Sequence, residues 1–300
     1  MSVKPLLTQI RPTYFSVDCG MAYLIRLEDG RFILIDSTYG EYGEVDHIYS
    51  LICEQNETGG TPCVAAWFFT HPHDDHIGGF KAEMLANGCQ DLAPERIVYN
   101  APTHDYVAAL PNFPDSNLAR MDLACLPSFD AIRPLMGERS RVVQRGDRIQ
   151  LDECEIHVLH VFHEENLANL LNDMSVVFTL TTPNKKVMFL GDLGAQGGDI
   201  LLDESREYLK SDLVQMAHHG HCGVGMDVYA EILPQACMWN CPDWLYEEKE
   251  IIFTTEEARA HERMRGRSRG YGVKMTRKWM DLLGVKTHYV SKDGPLCIEL

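Results

Sequence analysis

The sequence predicts an α/β or α+β protein with layered sheets, and three observations predict it. Short apolar runs of strand length recur in both halves of the chain, helix-favouring stretches separate them, and residues 63–70 (CVAAWFFT) are hydrophobic almost without a break. Such an unbroken run fits a strand covered on both faces. Three hundred residues suffice for a sizeable core. With no internal repeat and no low-complexity linker, the pattern favours one domain over residues 1–300.

The elements follow in order. Residues 21–27 (MAYLIRL) and 31–35 (RFILI) read as strands around the turn residues Glu28, Asp29 and Gly30, with Asp36 at the end of the second. The strand at 63–70 comes next. Residues 100–140 carry five prolines and few β-branched runs, which suits helix and loop covering a site. Strands resume at 156–161, 175–181 and 186–190, the last two joined by the hairpin turn 182–185 (TPNK). Residues 212–217 and 235–239 are further strands. Residues 255–283 mix helix-favouring stretches with a glycine-rich break at 266–272. Residues 287–290 and 296–300 are expected to close as a hairpin around 291–295.

Composition excludes several classes. No apolar run approaches the length of a membrane span, and the first twenty residues lack the apolar core of a signal peptide, so the expected compartment is the cytoplasm and no membrane partner is expected. Ten cysteines are scattered without a Cys-x-x-Cys pair, which argues for reduced core residues over a structural zinc knuckle. The net charge of −17 disfavours nonspecific binding to nucleic acid. Arg259, Arg263, Arg265, Arg267, Arg269, Lys274, Arg277 and Lys278 run against that balance. They read either as a solvated loop and helix face or as an anion-binding rim for a phosphate-bearing substrate.

The chemistry concentrates directly after the strand at 63–70. His71, His73, Asp75 and His76 lie within six positions, on a loop leaving a buried strand, where several side chains can turn toward one point. Imidazole with carboxylate suits zinc, iron or manganese rather than calcium. Gly78 and Gly79 follow, where backbone needs close approach. Asp192 stands after the strand at 186–190 and a glycine; its two oxygens can bridge two metals, or it simply opens a turn. His218 and His219 follow another strand and precede Gly220; one is a candidate ligand, and the other could orient substrate or shuttle a proton. Asp36 either holds a ligand histidine in its tautomer or is a turn residue.

In this order, strand-end Asp36, His71-x-His73-x-Asp75-His76, Gly191-Asp192 and a late histidine, the chain resembles the metallo-β-lactamase superfamily. Residues 172–175 (NDMS), 189–193 (FLGDL) and 218–220 (HHG), with the stretch 279–300, are similar to the hydrolase domain of ComEC-type competence proteins and their free-standing relatives. The resemblance implies a four-layer αββα sandwich with a dinuclear metal site at one edge. It implies two divalent ions, expected to be zinc, with manganese or iron as alternatives. His71 and His73 match the ligands of the first metal, Asp75 and His76 those of the second, and Asp192 the bridge. His218 or His219 matches the remaining ligand of the second, and Asp75 and His219 are the expected catalytic residues. One departure matters: where many members carry a ligand histidine in a turn, this chain has Asn172 and Ser175. His160 or His163 could supply the imidazole. His157 and His160 are an odd number apart, so at most one is expected to point inward.

Two metals lower the pKa of water held between them toward neutrality and polarise the electrophile. The expected activity is hydrolysis of a phosphodiester or phosphomonoester, on a small-molecule or phosphoester substrate; the competence-type resemblance also implies nucleic acid, which the net charge of −17 disfavours. The alternatives are hydrolysis of a carboxylic ester, amide or thioester, and a metal-binding protein with a vestigial site.

Overall fold

The computed structural model describes residues 4–13, 19–41, 43–167, 169–247 and 272–300. The first sheet comprises β1 (Leu6–Gln9), β2 (Ala22–Arg26), β3 (Phe32–Asp36), β4 (Val64–Phe68), β5 (Ile97–Tyr99) and β6 (Ser140–Val142), with β14 (Leu296–Glu299) outside β1. The second runs in reverse sequence order from β13 (Thr287–Val290) through β12 (Ala236–Trp239), β11 (Leu213–Gln215), β10 (Lys186–Phe189), β9 (Val177–Thr181) and β8 (Cys154–His160) to β7 (Arg148–Leu151).

Side-chain alternation places three apolar layers around these sheets. Ile33 and Ile35 face inward with Tyr23 and Phe68 against Ile156, Phe178 and Phe189 of the opposite sheet. Phe32 and Leu34 face outward with Trp67, onto helices α1 (Glu44–Gln55), α2 (Asp74–Asn87) and α5 (Leu126–Met136) through Ile48, Phe80 and Phe129. On the far side Met188, Val214 and Cys237 meet α6 (Ala195–Ser205) and α7 (Met226–Ile232) through Leu201 and Val228, and Met280 of the C-terminal helix Val273–Leu282. The layers are helix, sheet, sheet, helix: the αββα sandwich. Strands with both faces covered read as unbroken apolar runs, which is why residues 63–70 show no alternation.

The expected hairpin at 21–35 forms, with Tyr23 opposite Ile35 in antiparallel register. The expected hairpin at the C-terminus does not. β13 lies parallel to β12, and β14 lies antiparallel to β1, so the turn at Ser291–Asp293 carries the chain from one sheet to the other. Each strand covers an otherwise open edge, a longer-range pairing that local turn chemistry does not reveal. β1, β5, β7, α1, α6 and α7 had no expected counterpart; the strands are three or four residues long and the helices mix polar with apolar residues.

Residues 100–140 hold α3 (His104–Ala108), α4 (Asn117–Leu123) and α5. Val107 and Leu126 of this stretch pack with Leu167, Leu170, Leu171 and Met174 as a small separate core. Residues 255–271, with Arg259, Arg263, Arg265, Arg267 and Arg269, lie outside the described residues. Of the remaining basic group, Arg277 stacks 4.3 Å over the Tyr246 ring. Among the described residues no helix is long and apolar enough to cross a membrane.

Candidate metal centre

Four strand ends meet at one edge. β3 runs parallel to β4, and β10 parallel to β11, so the residues after all four lie where ligands collect in open sheets. Asp36 ends β3, Thr70 and His71 follow β4, Asp192 follows β10, and His218 and His219 follow β11.

The histidine loop turns straight into α2, whose N-cap is His73. This tight entry needs the two glycines. A Cβ on Gly78 would stand 2.6 Å from the Gly40 nitrogen, and one on Gly79 2.5 Å from the Ser37 oxygen. Any side chain there would push α2, and the loop it carries, off the end of β3.

Two groups of donors form around Asp192. Asp75, His76, Asp192 and His219 make one, and His71, His73 and Asp192 the other, with the donor atoms of each within 4.8 Å of one another. His76 Nε2 lies 3.3 Å from Asp192 Oδ1 and 3.8 Å from Asp75 Oδ2. His219 Nε2 lies 3.1 Å from Asp75 Oδ2 and 3.5 Å from Asp192 Oδ2. His71 Nε2 lies 2.9 Å from His73 Nδ1 and 3.8 Å from Asp192 Oδ2.

The far side of three of these rings, His76, His71 and His219, is held. Asp36 Oδ2 sits 2.7 Å from His76 Nδ1, and the Asp36 carboxylate also accepts the Thr70 N–H and Oγ1–H at 2.8 and 2.7 Å. Thr70 Oγ1 is 3.1 Å from His71 Nδ1. The Asn240 carbonyl lies 2.8 Å from His219 Nδ1, which leaves Nε2 facing Asp75 and Asp192. His218 has no such support: its Nδ1 is buried without a partner, and its Nε2 is 3.8 Å from Asp192 Oδ2. Holding Nδ1 therefore separates the two neighbours, and His219 is the one built into the group with Asp75 and His76.

The donor set fits metal ions. His76 Nε2 and Asp192 Oδ1 are both buried and lack a hydrogen-bond partner, although they face each other. An unsatisfied buried polar atom costs about 1–3 kcal/mol, a cost that a bound cation removes. The electrostatics agree. Burial works against charge on His76, yet Asp192, Asp75 and Asp36 together hold it well above the ordinary histidine range. Burial likewise opposes the Asp192 carboxylate, and His76, His219 and His218 hold it well below the usual range. A field that favours positive charge so strongly at one buried point favours a cation there. His71, by contrast, is driven well below its ordinary value by burial and by His76, so it stands as a neutral donor.

Other expected residues take different places. Ser175 does not point a ligand inward; its Oγ accepts the Asp192 N–H at 2.9 Å and so fixes the backbone of Asp192. Asn172 donates to Asn169 Oδ1 at 3.1 Å. His160 is buried with Nδ1 3.0 Å from the Ser175 carbonyl, and His163 and Glu204 are the ionisable groups that reach it. His163 lies 3.6 Å from Glu204 on α6 and joins neither donor group. The expectation that His163 could be a ligand is thus corrected: the chain after β8 turns toward α6. The alternation argument for His157 and His160 also fails, because the β8–β9 register shifts between Val158 and His160. A bulge inserts one residue and cancels the parity.

Several contributors carried no signal in the sequence. Gln215 accepts the Leu190 and Gly191 N–H groups, each at 2.8 Å, and donates to the Gly191 and Met216 carbonyls at 3.0 and 2.7 Å, tying together the loops that bear Asp192 and His218. Asn240 acts through its backbone carbonyl, which no residue type announces. His221, whose ring centroid is 4.4 Å from that of His218, was there to be found in the run His218-His219-Gly220-His221.

With this geometry in view, the chain can be set against known proteins. A family model described as the metallo-beta-lactamase superfamily matches residues 20–224. No curated protein sequence matches. Among solved structures the chain is similar to the metallo-beta-lactamase fold protein YhfI from Bacillus subtilis, at 11% identity and a TM-score of 0.53, with 99% of this chain and 100% of that one covered. It is also similar to CmlA, a diiron beta-hydroxylase from Streptomyces venezuelae, at 10% identity and a TM-score of 0.54. That match covers 100% of this chain and 55% of CmlA, so the chain spans about half the length of that protein. At such identities the likeness is one of fold. The family model spans more than half of the sequence and includes every residue of both donor groups, and the chain belongs to the metallo-beta-lactamase superfamily.

Proposed function

We propose that this protein is a metal-dependent hydrolase of phosphoester bonds, acting on a small phosphodiester or phosphomonoester in the cytoplasm. The observation that carries the reading is the sharing of Asp192 between two donor groups, one with His71 and His73 and one with Asp75, His76 and His219. Two cations, zinc in this reading, would be held there and would supply Lewis acidity toward a phosphoryl oxygen and water acidic enough to react near neutral pH. The chain's own contribution is placement. Asp36, Thr70 and the Asn240 carbonyl fix which ring nitrogen of His76, His71 and His219 faces the centre. Ser175 and Gln215 fix the backbone on either side of Asp192. Asp75 and His219, 3.1 Å apart, are the residues of the second group nearest a reacting oxygen in this reading.

Phosphoryl groups carry negative charge that two bound cations would stabilise, which supports the phosphoester over an uncharged ester, amide or thioester. A net charge of −17 supports a small substrate over duplex nucleic acid. The stretches 172–175, 189–193 and 218–220 support kinship with the ComEC-type hydrolases.

The test is metal analysis of the full chain together with assays on bis-p-nitrophenyl phosphate, a β-lactam and a thioester. The reading expects two ions per chain and turnover of the phosphodiester that a chelator abolishes. Full phosphodiesterase activity in metal-stripped protein, or turnover of the thioester alone, would overturn it.

A further inference from the structure

The group around His71 and His73 has two imidazoles and the shared Asp192 carboxylate, where its partner group has two imidazoles and two carboxylates. We propose that His218 is its third imidazole, completing the first cation's ligands with His71, His73 and Asp192 in place of a histidine in the 172–175 turn. This rests on the two-cation reading above.

Asp192 Oδ2 is the point of convergence. His71 Nε2 and His218 Nε2 are each 3.8 Å from it. In a tetrahedral zinc site with bonds near 2.0–2.1 Å, neighbouring donors stand roughly 3.4 Å apart, so both rings lie within a few tenths of an ångström of ligand spacing to that oxygen. His218 stands outside the 4.8 Å grouping of His71, His73 and Asp192, so its ring has to close toward the other two imidazoles when a cation binds. His219 is already committed: its Nε2 is 3.1 Å from Asp75 Oδ2 and its Nδ1 is held by Asn240. One ring cannot serve both groups.

The backbone is shaped to bring both neighbours inward. Successive residues of an extended chain point to opposite sides. Here His218 (φ 51, ψ 52) and His219 (φ 56, ψ 15) are both left-handed, a conformation that costs non-glycine residues of order 1–2 kcal/mol each. The His218 N–H donates to the Gly191 carbonyl at 3.1 Å, pinning the strained turn beside Asp192. The His221 ring, tilted 30° to that of His218, packs against it with centroids 4.4 Å apart. The other candidates stand elsewhere. His160 meets the Ser175 carbonyl through Nδ1 and keeps Nε2 buried without a partner beside His163 and Glu204. His163 faces Glu204, Asn172 donates to Asn169 and Ser175 accepts the Asp192 N–H.

Zinc stoichiometry of the full-length protein and of His218→Ala and His221→Ala provides the test, with circular dichroism to verify folding. We expect two zinc ions in the parent and in His221→Ala. We expect one tightly held ion in His218→Ala, the second weakened at least tenfold. His218→Cys loaded with cobalt should gain a sulfur-to-cobalt charge-transfer band over the parent spectrum, and it carries the test if the alanine variant fails to fold. Two equally tight ions in His218→Ala, or a cysteine variant without the band, overturns the inference and leaves the two-cation reading standing. Fewer than one ion in the parent overturns both.

Discussion

The site has two halves built on different sheets, and they are organised differently. On the first sheet, His71, His73, Asp75 and His76 come from six consecutive residues at the end of β4 and the start of α2, and their support is Thr70, the residue just before them, and Asp36 on the neighbouring strand. On the second sheet, Asp192 comes from one loop and His218 and His219 from another. They are held by Ser175, Gln215 and the Asn240 carbonyl, from three further points in the chain. The first half is a local motif on a helix entry; the second is an assembly that exists only when the sheet has formed.

That contrast can be broken at its joint. Asp192 is the residue shared by both donor groups. Asp192→Ala should abolish binding at both and lower kcat/KM by well over about a hundredfold, more than loss of a supporting residue costs, with thermal stability retained. Metal content and turnover measured on one preparation check this; a variant that keeps two ions would show the halves to be independent.

Next in size is the strained turn of the second half. Gly220 has φ 92, and a Cβ there would stand 2.6 Å from two atoms of the Trp239 ring. Gly220→Ala should cost about 2–4 kcal/mol of folding stability, from a clash with a fully buried ring added to a strained φ, read as a fall in the denaturant midpoint. An unchanged midpoint would mean that the turn relaxes freely.

Asp36→Asn tests the first half. It keeps the shape but weakens the charge behind His76 Nδ1, so metal affinity should fall by about ten- to a hundredfold with the fold intact. Titration with a competing chelator measures it, and an affinity equal to the parent's would reduce Asp36 to a turn residue.

The smallest effect concerns Asp173, beside the turn where the family pattern departs. Burial pushes its carboxyl up to about 7, although it accepts the Gly194 N–H at 2.8 Å. Between the ordinary value of 3.8 and that value the folded protein binds the extra proton, so stability falls as pH rises through this window. The loss between pH 5 and pH 7 should be about 1–2 kcal/mol after the buried acid relaxes, and Asp173→Asn should flatten it. Denaturation midpoints at the two pH values decide; a parent whose stability rises over the window would remove Asp173 from this account.

The legibility of the molecule follows the same division. The β2–β3 hairpin and the buried β4 were readable because turn residues and apolar runs act over a few positions. The C-terminal hairpin was misread, since β13 and β14 take partners from β12 and β1, far away in the chain. His163 was a reasonable candidate by position along the sequence, but it lies 3.6 Å from Glu204 and joins neither donor group. His221 was visible and passed over.

The sequence by itself determined the family, the donor types and half of the centre, because a metal motif compressed into six residues needs only a strand end and a tight helix entry to be read. The tertiary structure decided which of His218 and His219 is held by a neighbour, what Ser175 does, and which strands close the sheets. Those outcomes depend on hydrogen bonds and edge pairings between segments that meet only in the folded chain, and several of them run through backbone atoms that every residue shares.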